Sequence, residues 1–185
     1  MYKLCKTEQS AGRQRELEQG LLHLMLKNRY EDISVSDLCN FMKIPRKSFY
    51  RYFSSKDGAL YALLDHTMMG FFADAERDGT GGTALTDLDQ FFVFWYAHKD
   101  LLGALQRSGL SGILVERATS LALRERLMPG YIREWSPEMQ QLALSFSVCG
   151  LLSMVIQWYQ QGFHAPPEEM AKVARTMLSQ PLIPL

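Results

Sequence analysis

The chain lacks the cysteine patterns on which metal, redox and disulfide-stabilised proteins depend. Its 185 residues include only three cysteines, Cys5, Cys39 and Cys149, and their wide spacing matches neither a zinc site nor a redox pair. An odd count also argues against a disulfide framework, so we expect reduced thiols, as in cytoplasmic proteins. The first residues contain no apolar core of the kind that a secretory signal requires. The sequence therefore predicts a cytoplasmic protein without a bound metal or cofactor.

Catalytic constellations are missing as well. The glycine-rich segment 79–82 has no Lys-Ser/Thr pair after it, which a phosphate-binding loop requires. Ser111 lacks the strand–turn–helix context of a nucleophile elbow. No two histidines have the spacing of metal ligands; they are His23, His66, His98 and His164. Since no convergent polar set is found, we expect that the protein is not an enzyme.

One long segment, residues 139–167, contains no Asp, Glu, Lys or Arg. Its apolar part, 142–156, is shorter than the roughly 20 residues that a membrane span requires. Serines interrupt this part and glutamines flank it. We therefore expect a helix buried in a core or an oligomer interface, and no membrane partner.

No alternating strand pattern persists, and apolar residues recur at helical spacing along the chain. After a first helix over about 10–28, a second is capped by Ser34, with Asp37 completing a capping box. The later helices are predicted at about 45–53, 56–77, 85–107, 110–127, 137–161 and 167–178, with a loop at 78–83. The sequence thus predicts an all-α fold.

Net charge is zero, but its distribution is uneven. Residues 1–60 carry eleven Lys and Arg against seven Asp and Glu, whereas residues 61–185 carry nine against thirteen. A basic N-terminal part on an acidic remainder indicates that one end of the molecule meets a polyanion.

The basic residues concentrate around two short helical patterns separated by a tight break at 43–45. No acidic residue occurs between Asp37 and Asp57, and three aromatics interleave with the charge. The positive side chains are Lys43, Arg46, Lys47, Arg51 and Lys56. Two helices joined by so short a turn form a helix-turn-helix unit. A solvated basic face is the alternative interpretation.

The second helix of such a unit lies in the major groove of DNA, with its N-terminal residues nearest the base edges. Those predicted to read bases are Arg46, Lys47, Ser48 and Arg51. Those predicted to contact phosphates are Ser34, Ser36, Tyr50, Tyr52 and Lys56.

These residues resemble the DNA-binding domain of the TetR/AcrR family of bacterial transcriptional regulators. The matching positions are Tyr30, 33–39, Ile44, 48–53, 55–56 and Leu60. The resemblance implies that Tyr50 and Lys56 contact phosphate and that residues 46–48 read or flank bases. The chain departs from the family pattern at four positions, Arg29, Lys43, Pro45 and Gly58. The family often has glycine at the first two, a small polar residue at the third and an acidic residue at the fourth.

The C-terminal part loosely resembles a subgroup that includes dihydroxyacetone-kinase regulators, through segments 95–105 and 150–162. The resemblance implies a helix-turn-helix domain over 1–56, a connecting fourth helix over 56–78, and a helical effector-binding and dimerisation domain over 57–185. It also implies an effector cavity, for which the candidates are Met68, Phe72, Phe91, Trp95, Tyr96 and Trp158. Ordinary core packing is the alternative for each of them.

A dimer interface is predicted on the uncharged helix 137–161. Small residues at helical spacing allow two helices to approach closely, and the last helix can complete a four-helix bundle across a two-fold axis. The candidates are Ala143, Ser147, Gly150, Met154, Val173 and Met177. The alternative is that both helices bury only the core of one subunit.

These features together predict a homodimer that regulates transcription from a palindromic operator in double-stranded DNA. We expect a repressor that is relieved by a small apolar or amphipathic molecule, acting in the bacterial cytosol. The competing hypothesis is a helical module that binds a small molecule or a protein and has lost specific DNA binding.

Overall fold

A computed structural model describes residues 2, 3, 5, 7–77, 87–125 and 132–179, except for the side chains of 72–77. Within these ranges the chain forms nine α-helices, a 3-10 turn at Tyr30–Asp32 and no β-strand, which confirms the all-α prediction. The predicted loop 78–83 lies outside the described residues. The helices are α1 (Glu8–Met25), α2 (Val35–Phe41), α3 (Arg46–Tyr50), α4 (Lys56–Arg77), α5 (Leu88–Ala97), α6 (Lys99–Arg107), α7 (Ser111–Arg124), α8 (Pro137–Gln160) and α9 (Pro167–Ser179).

The predicted single helix over 85–107 is wrong, because the chain breaks at His98 into α5 and α6. His98 leaves helical geometry, with φ −99° and ψ 25°. Its ring atom Nδ1 lies 2.8 Å from the carbonyl oxygen of Phe94. The same oxygen also accepts from the His98 N–H at 3.1 Å, so ring and backbone of residue 98 both fold back onto the last turn of α5. The apolar spacing continues across the break, so periodicity alone does not reveal it.

Side-chain caps fix several helix starts, including the capping box that the sequence predicts for α2. The Asp37 N–H donates to Ser34 Oγ at 3.1 Å and the Ser34 N–H to Asp37 Oδ2 at 2.8 Å, which completes the capping box of α2. Ser55 accepts from the N–H of Gly58 at 3.1 Å and caps α4. Ser136 caps α8 in front of Pro137.

Helices α2, α6 and α8 end in the same kind of turn, in which the residue after the cap is left-handed. These residues are Lys43 (φ 53°), Gly109 (φ 67°) and Gly162 (φ 76°). In each turn the next N–H donates to the carbonyl five residues earlier, at 2.9, 2.8 and 3.0 Å respectively. These are Schellman motifs, in which glycine is the usual left-handed residue. Lys43 is the exception.

One continuous apolar core joins the helix-turn-helix unit to the rest of the described chain. Helix α1 packs against α2, α4 and α6, while α4 runs on to contact α5 and α7. Helix α8 packs against α6 and α7, and α9 packs against α5. Because α4 belongs to both parts of the core, it links the basic surface mechanically to the C-terminal helices.

Helix α8 is long and apolar enough to cross a membrane by length and composition. Its most apolar 18-residue window has a mean hydropathy of 1.6, and 28% of that window is buried in the structure. It is the one such helix in the described part of the chain. A core or interface helix of a globular protein satisfies the same criterion, so α8 by itself is weak evidence for a span.

Candidate nucleic-acid interface and apolar cavity

Helix α3 presents its charged side chains outward because two phenylalanines on its opposite side are buried in the core. Phe49 and Phe53 are fully buried, with ring centroids 5.2 Å apart. Arg46 and Lys47 are exposed at the N-terminal end of α3, as is Tyr50 one turn later. The sequence-predicted residues thus form an outward-facing group on a short, firmly packed helix.

Arg46 is oriented by its own helix. Its guanidinium donates to the Tyr50 hydroxyl at 3.3 Å and lies 5.9 Å from the centroid of that ring. The hydrogen bond from Arg46 to Tyr50 raises the pKa of Arg46 above its ordinary value. A permanently charged guanidinium with a planar fork of donors is suited to bidentate contact with guanine.

Two other predicted base readers, Ser48 and Arg51, line a cleft between α3 and the beginning of α1. The cleft has a volume of about 490 Å3, and Ser10 and Arg13 of α1 also line it. Arg13 is a cation that sequence reasoning missed, and its guanidinium lies 2.9 Å from Glu16. No local pattern signals it, since packing alone brings the start of α1 beside α3.

The predicted phosphate contacts at the start of α2 already take part in capping. The Ser34 hydroxyl donates to Asp37 Oδ2 at 2.5 Å as well as accepting from the Asp37 N–H. The hydrogen bonds from Ser34 lower the pKa of Asp37. Ser36 is half-buried in the first turn of α2. Their contacts with DNA stay predictions.

Lys56 has intramolecular partners that the sequence did not suggest. Its ammonium donates to the carbonyl oxygens of Tyr30 at 2.6 Å and Ile33 at 2.5 Å, and lies 4.1 Å from the centroid of the Tyr30 ring. The Tyr30 hydroxyl in turn donates to Asp57 at 2.6 Å. An ammonium has three donors, so one remains for the predicted phosphate contact. Lys56 also fastens the turn before α2 to the start of α4.

Helix α3 ends at Tyr50, three residues before the end of the predicted range 45–53. The N–H groups of Tyr52 and Phe53 both donate to the Phe49 carbonyl, at 3.0 and 3.1 Å, which closes the helix with a tight turn. The Tyr52 carbonyl accepts from the N–H of Lys3 at 3.0 Å. Tyr52 is half-buried, and its predicted phosphate contact stays a prediction.

A small apolar cavity of about 40 Å3 lies between α4, α5, α7 and α8. Its wall includes the predicted residues Met68, Phe91 and Trp95, together with Ala118 and Ala122 of α7. The side chain of predicted Phe72 lies outside the described residues. The wall is apolar, and little free volume remains between the four helices in this structure.

The structure places the other two predicted cavity residues elsewhere. Tyr96 is exposed and stacks on the buried Trp158, with ring centroids 5.8 Å apart. Trp158 donates from Nε1 to the Ala165 carbonyl at 2.9 Å and packs edge-on against Phe163. Both rings therefore stabilise the end of α8 and do not line the cavity.

Helices α8 and α9 each expose apolar side chains. Leu142 and Phe146 expose 63% and 77% of their surface, and Gly150 is exposed one turn further on. On α9 the exposed apolar residues are Val173, Met177 and Leu178. The predicted Ala143, Ser147 and Met154 are half-buried at the edges of this exposed apolar face. Leu142 and Phe146 were missed, although their helical spacing with Met139 and Gly150 could have identified them.

No protein-family model matches the chain. The HTH-type transcriptional regulator EthR of Mycobacterium tuberculosis is 32% identical over 114 residues, which cover 56% of this chain and 47% of EthR. EthR of Mycobacterium bovis matches with the same identity and coverage. The chain therefore spans about half the length of the curated relatives it matches.

Solved structures of similar shape cover nearly the whole chain. The fatty acid degradation regulator FadR from Bacillus halodurans has a TM-score of 0.60 at 12% identity, covering 97% of this chain and 98% of its own. The dihydroxyacetone kinase operon activator DhaS has a TM-score of 0.58 at 16% identity, covering 90% and 94%. The TetR family repressor AlkX from Dietzia sp. strain DQ12-45-1b has 0.55 at 16%, covering 89% and 92%. At these identities the likeness is one of fold.

Proposed function

We propose that this TetR-like chain is a DNA-binding transcriptional regulator that acts in the bacterial cytoplasm. The observation that carries the proposal is the outward-facing cationic end of α3, held in place by the buried Phe49 and Phe53. The similarity to EthR, itself a transcriptional regulator, supports the same class of function. No acidic residue lies between Asp37 and Asp57 to oppose the approach of phosphate.

On DNA, α3 enters the major groove with its N-terminal end towards the base edges. Arg46 and Lys47 reach the bases, and Ser48 and Arg51 follow from the side of the cleft. Tyr50 and the free N–H of Lys56 bind phosphate oxygens, which fixes the angle of α3. Arg13 extends the positive surface onto α1.

Two of the four departures from the family pattern, Lys43 and Pro45, lie in the turn before α3 and are the only support for the competing hypothesis of a module that has lost DNA binding. Lys43 adopts the left-handed conformation that glycine normally takes there, with φ 53°. Pro45 is the N-cap of α3, with φ −66° and ψ 144°, a conformation natural for proline. Both geometries support a functional helix-turn-helix unit over the alternative of a binding module that has lost DNA binding.

The regulator acts as a homodimer in this proposal, because one short recognition helix gives modest affinity. The exposed face of α8 and α9 packs against its copy across a two-fold axis and forms a four-helix bundle. The two α3 helices then bind the two half-sites of a palindromic operator, which lie about 34–36 Å apart. The apolar exposure of Leu142 and Phe146 supports this interface.

The proposed effector is a small apolar or amphipathic molecule, and the protein is a repressor that this molecule releases. The cavity wall is apolar, and AlkX, which shares the fold, is a TetR family repressor implicated in the biodegradation of n-alkanes. Because little free volume remains between these helices, we expect an effector to displace part of the cavity wall when it binds. It therefore favours a second arrangement of the dimer, with altered spacing of the two α3 helices.

The proposal is tested by selecting duplexes from a random-sequence pool with the full chain and measuring the Kd by fluorescence anisotropy at several salt concentrations. We expect selected DNA to bind far more tightly than random DNA, with a steep salt dependence. Arg46→Ala should cost about 1–3 kcal/mol and relax the preference at one base pair. Arg133→Ala removes an exposed arginine near α8 and serves as the matched control. Equal binding to selected and random DNA, unchanged by Arg46→Ala, would contradict the proposal.

A further inference from the structure

Residues 2 and 3 join the end of α3 to the rest of the molecule. The Lys3 N–H donates to the Tyr52 carbonyl at 3.0 Å, and Tyr2 forms an isolated antiparallel bridge with Phe53. Both partners lie within three residues of the end of α3. Gln14 of α1, almost fully buried, donates from Nε2 to the Lys3 carbonyl at 3.1 Å. This two-residue arm therefore lies against the C-terminal end of the proposed recognition helix.

The side chain of Tyr2 extends to the middle of α4. Its hydroxyl donates to Asp65 Oδ2 at 2.8 Å, and its ring meets that of His66 edge-on, with centroids 5.5 Å apart. Asp65 is 1% exposed. The guanidinium of Arg117 on α7 donates to both oxygens of the same carboxylate, through Nε at 3.0 Å and through Nη2. One buried carboxylate thus accepts hydrogen bonds from the arm and from α7.

This shared carboxylate lies beside the apolar cavity. Met68, one turn after Asp65 on α4, lines the cavity, and so does Ala118, the residue after Arg117 on α7. The ion pair of Asp65 and Arg117 therefore fastens α4 to α7 at the edge of the cavity wall. Because Met68 and Ala118 belong to α4 and α7, an occupant that presses on this part of the wall acts on the two helices that the ion pair joins.

We propose that the arm is a latch through which the spacing of α4 and α7 controls the end of α3, with the Tyr2 hydroxyl as a positioning group for DNA binding. The inference rests on the proposed function and adds its regulatory connection. When α4 and α7 move apart, the Asp65 carboxylate keeps its two hydrogen bonds to the Arg117 guanidinium and breaks its single bond to the Tyr2 hydroxyl. The reason is that a bidentate hydrogen bond between charged groups is stronger than one from a neutral hydroxyl. Tyr2 then loses its acceptor, and the arm loosens from Tyr52 and Phe53.

The latch is tested with a double-variant cycle on DNA selected by the full chain. Tyr2→Phe removes the hydroxyl and keeps the ring, while Ala122→Leu fills the cavity as an occupant does. Tyr2→Phe should weaken binding to the selected DNA by about 3- to 10-fold, the equivalent of one hydrogen bond. In the Ala122→Leu background, where the latch is already open, Tyr2→Phe should add less than about 2-fold, which is the non-additivity expected of coupled sites. Ala122→Val serves instead if Ala122→Leu does not fold.

Hydrogen exchange gives a readout that requires no DNA. Tyr2→Phe and Ala122→Leu should each speed deuterium uptake at the amide of Lys3, because the hydrogen bond from that amide to the Tyr52 carbonyl weakens. Thr119→Val is the matched control: it also removes a hydroxyl, but one whose hydrogen bond, 2.9 Å to the Val115 carbonyl, stays within α7. It should change neither the Kd nor the uptake at Lys3.

The outcomes separate the latch from the proposed function. If neither the parent chain nor any variant prefers selected DNA, the proposed function is wrong. The hydrogen-exchange experiment then tests by itself whether the latch exists. If the parent chain binds selectively but Tyr2→Phe changes neither binding nor exchange, the latch is wrong. Independent effects of Tyr2→Phe and Ala122→Leu that multiply in the double variant would also overturn it.

Discussion

At the scale of single residues, Tyr2 has the clearest electrostatic signature. Burial, together with the hydrogen bond to Asp65, raises the pKa of Tyr2 to about 12 from an ordinary value of 10.0. Because the pKa is higher in the folded state, the neutral hydroxyl stabilises the fold at every pH below about 10, where the unfolded chain begins to ionise. This contribution is lost between about pH 10 and pH 12.

We therefore predict a displaced tyrosinate titration for Tyr2. The absorbance change at the tyrosinate band, taken as the parent chain minus Tyr2→Phe, should have its midpoint near pH 12. The stability difference between the two proteins should be constant below about pH 10 and shrink above it. A difference titration centred on pH 10 would show that the hydroxyl is solvated and not bonded to Asp65.

Residue roles could be predicted from sequence only where the partner is local. Ser34 and Asp37 are three positions apart, so a recurring motif identifies both. Lys56 matches a family position, but its bonds to the carbonyls of Tyr30 and Ile33 connect residues 26 and 23 positions apart. No pattern in the chain encodes those partners, because they meet only when α4 packs against the turn before α2.

At the scale of elements, three Schellman motifs set where helices stop and how the chain leaves them. Two use glycine, the residue that favours this left-handed conformation. The third, between α2 and α3, uses Lys43 in a conformation that a side chain disfavours by about 1–2 kcal/mol. This turn sets the angle of α3, the proposed recognition helix, so its strain lies beside the proposed DNA-binding surface.

Lys43→Gly should therefore stabilise the fold by about 0.5–1 kcal/mol, after allowing for the greater chain entropy of the unfolded glycine variant. Urea unfolding followed by circular dichroism measures the change. Lys47→Gly, the same substitution inside α3, is the matched control and should destabilise by about 0.5–1 kcal/mol. A lower urea midpoint for Lys43→Gly would contradict the strain argument.

The break between α5 and α6 shows why element boundaries were only partly predictable. Leu88 to Leu105 keeps helical spacing throughout, and neither glycine nor proline marks position 98. At the break, the His98 ring contacts the Phe94 carbonyl. It also packs against the Phe94 ring, and the centroids of these two rings lie 4.1 Å apart. Several side-chain rotamers are available to a histidine, and packing selects this one.

At the scale of the whole molecule, the exposed face of α8 departs from ordinary burial, because Phe146 is the most exposed large apolar side chain among the described residues. Leu142 and Phe146 remain mostly exposed although the flanking Leu144 and Val148 are buried. A helix that buries one side and leaves a second apolar side uncovered is expected to have a partner. A second copy of the chain satisfies this requirement symmetrically, because a two-fold interface uses the same face twice.

Phe146→Lys should convert a dimer into a monomer, because it places two like charges near the two-fold axis in an apolar contact. Sedimentation velocity at micromolar concentration measures the change. Val93→Lys, which puts the same charge at an exposed apolar position on α5, should leave the dimer intact. A parent chain that sediments only as a monomer would rule out the proposed interface.

The sequence by itself determined the all-α class, most helix starts and stops, and the basic surface of α3. These depend on hydrogen bonds and charges between residues within one or two helical turns, which the order of residues sets directly. Only the tertiary structure decided which aromatics line the cavity and where Lys56 is engaged. It alone joined Tyr2 and Arg117 to Asp65, across 63 and 52 positions of the chain. Such contacts depend on how whole helices pack, and that depends on the shape of the shared core more than on any local pattern.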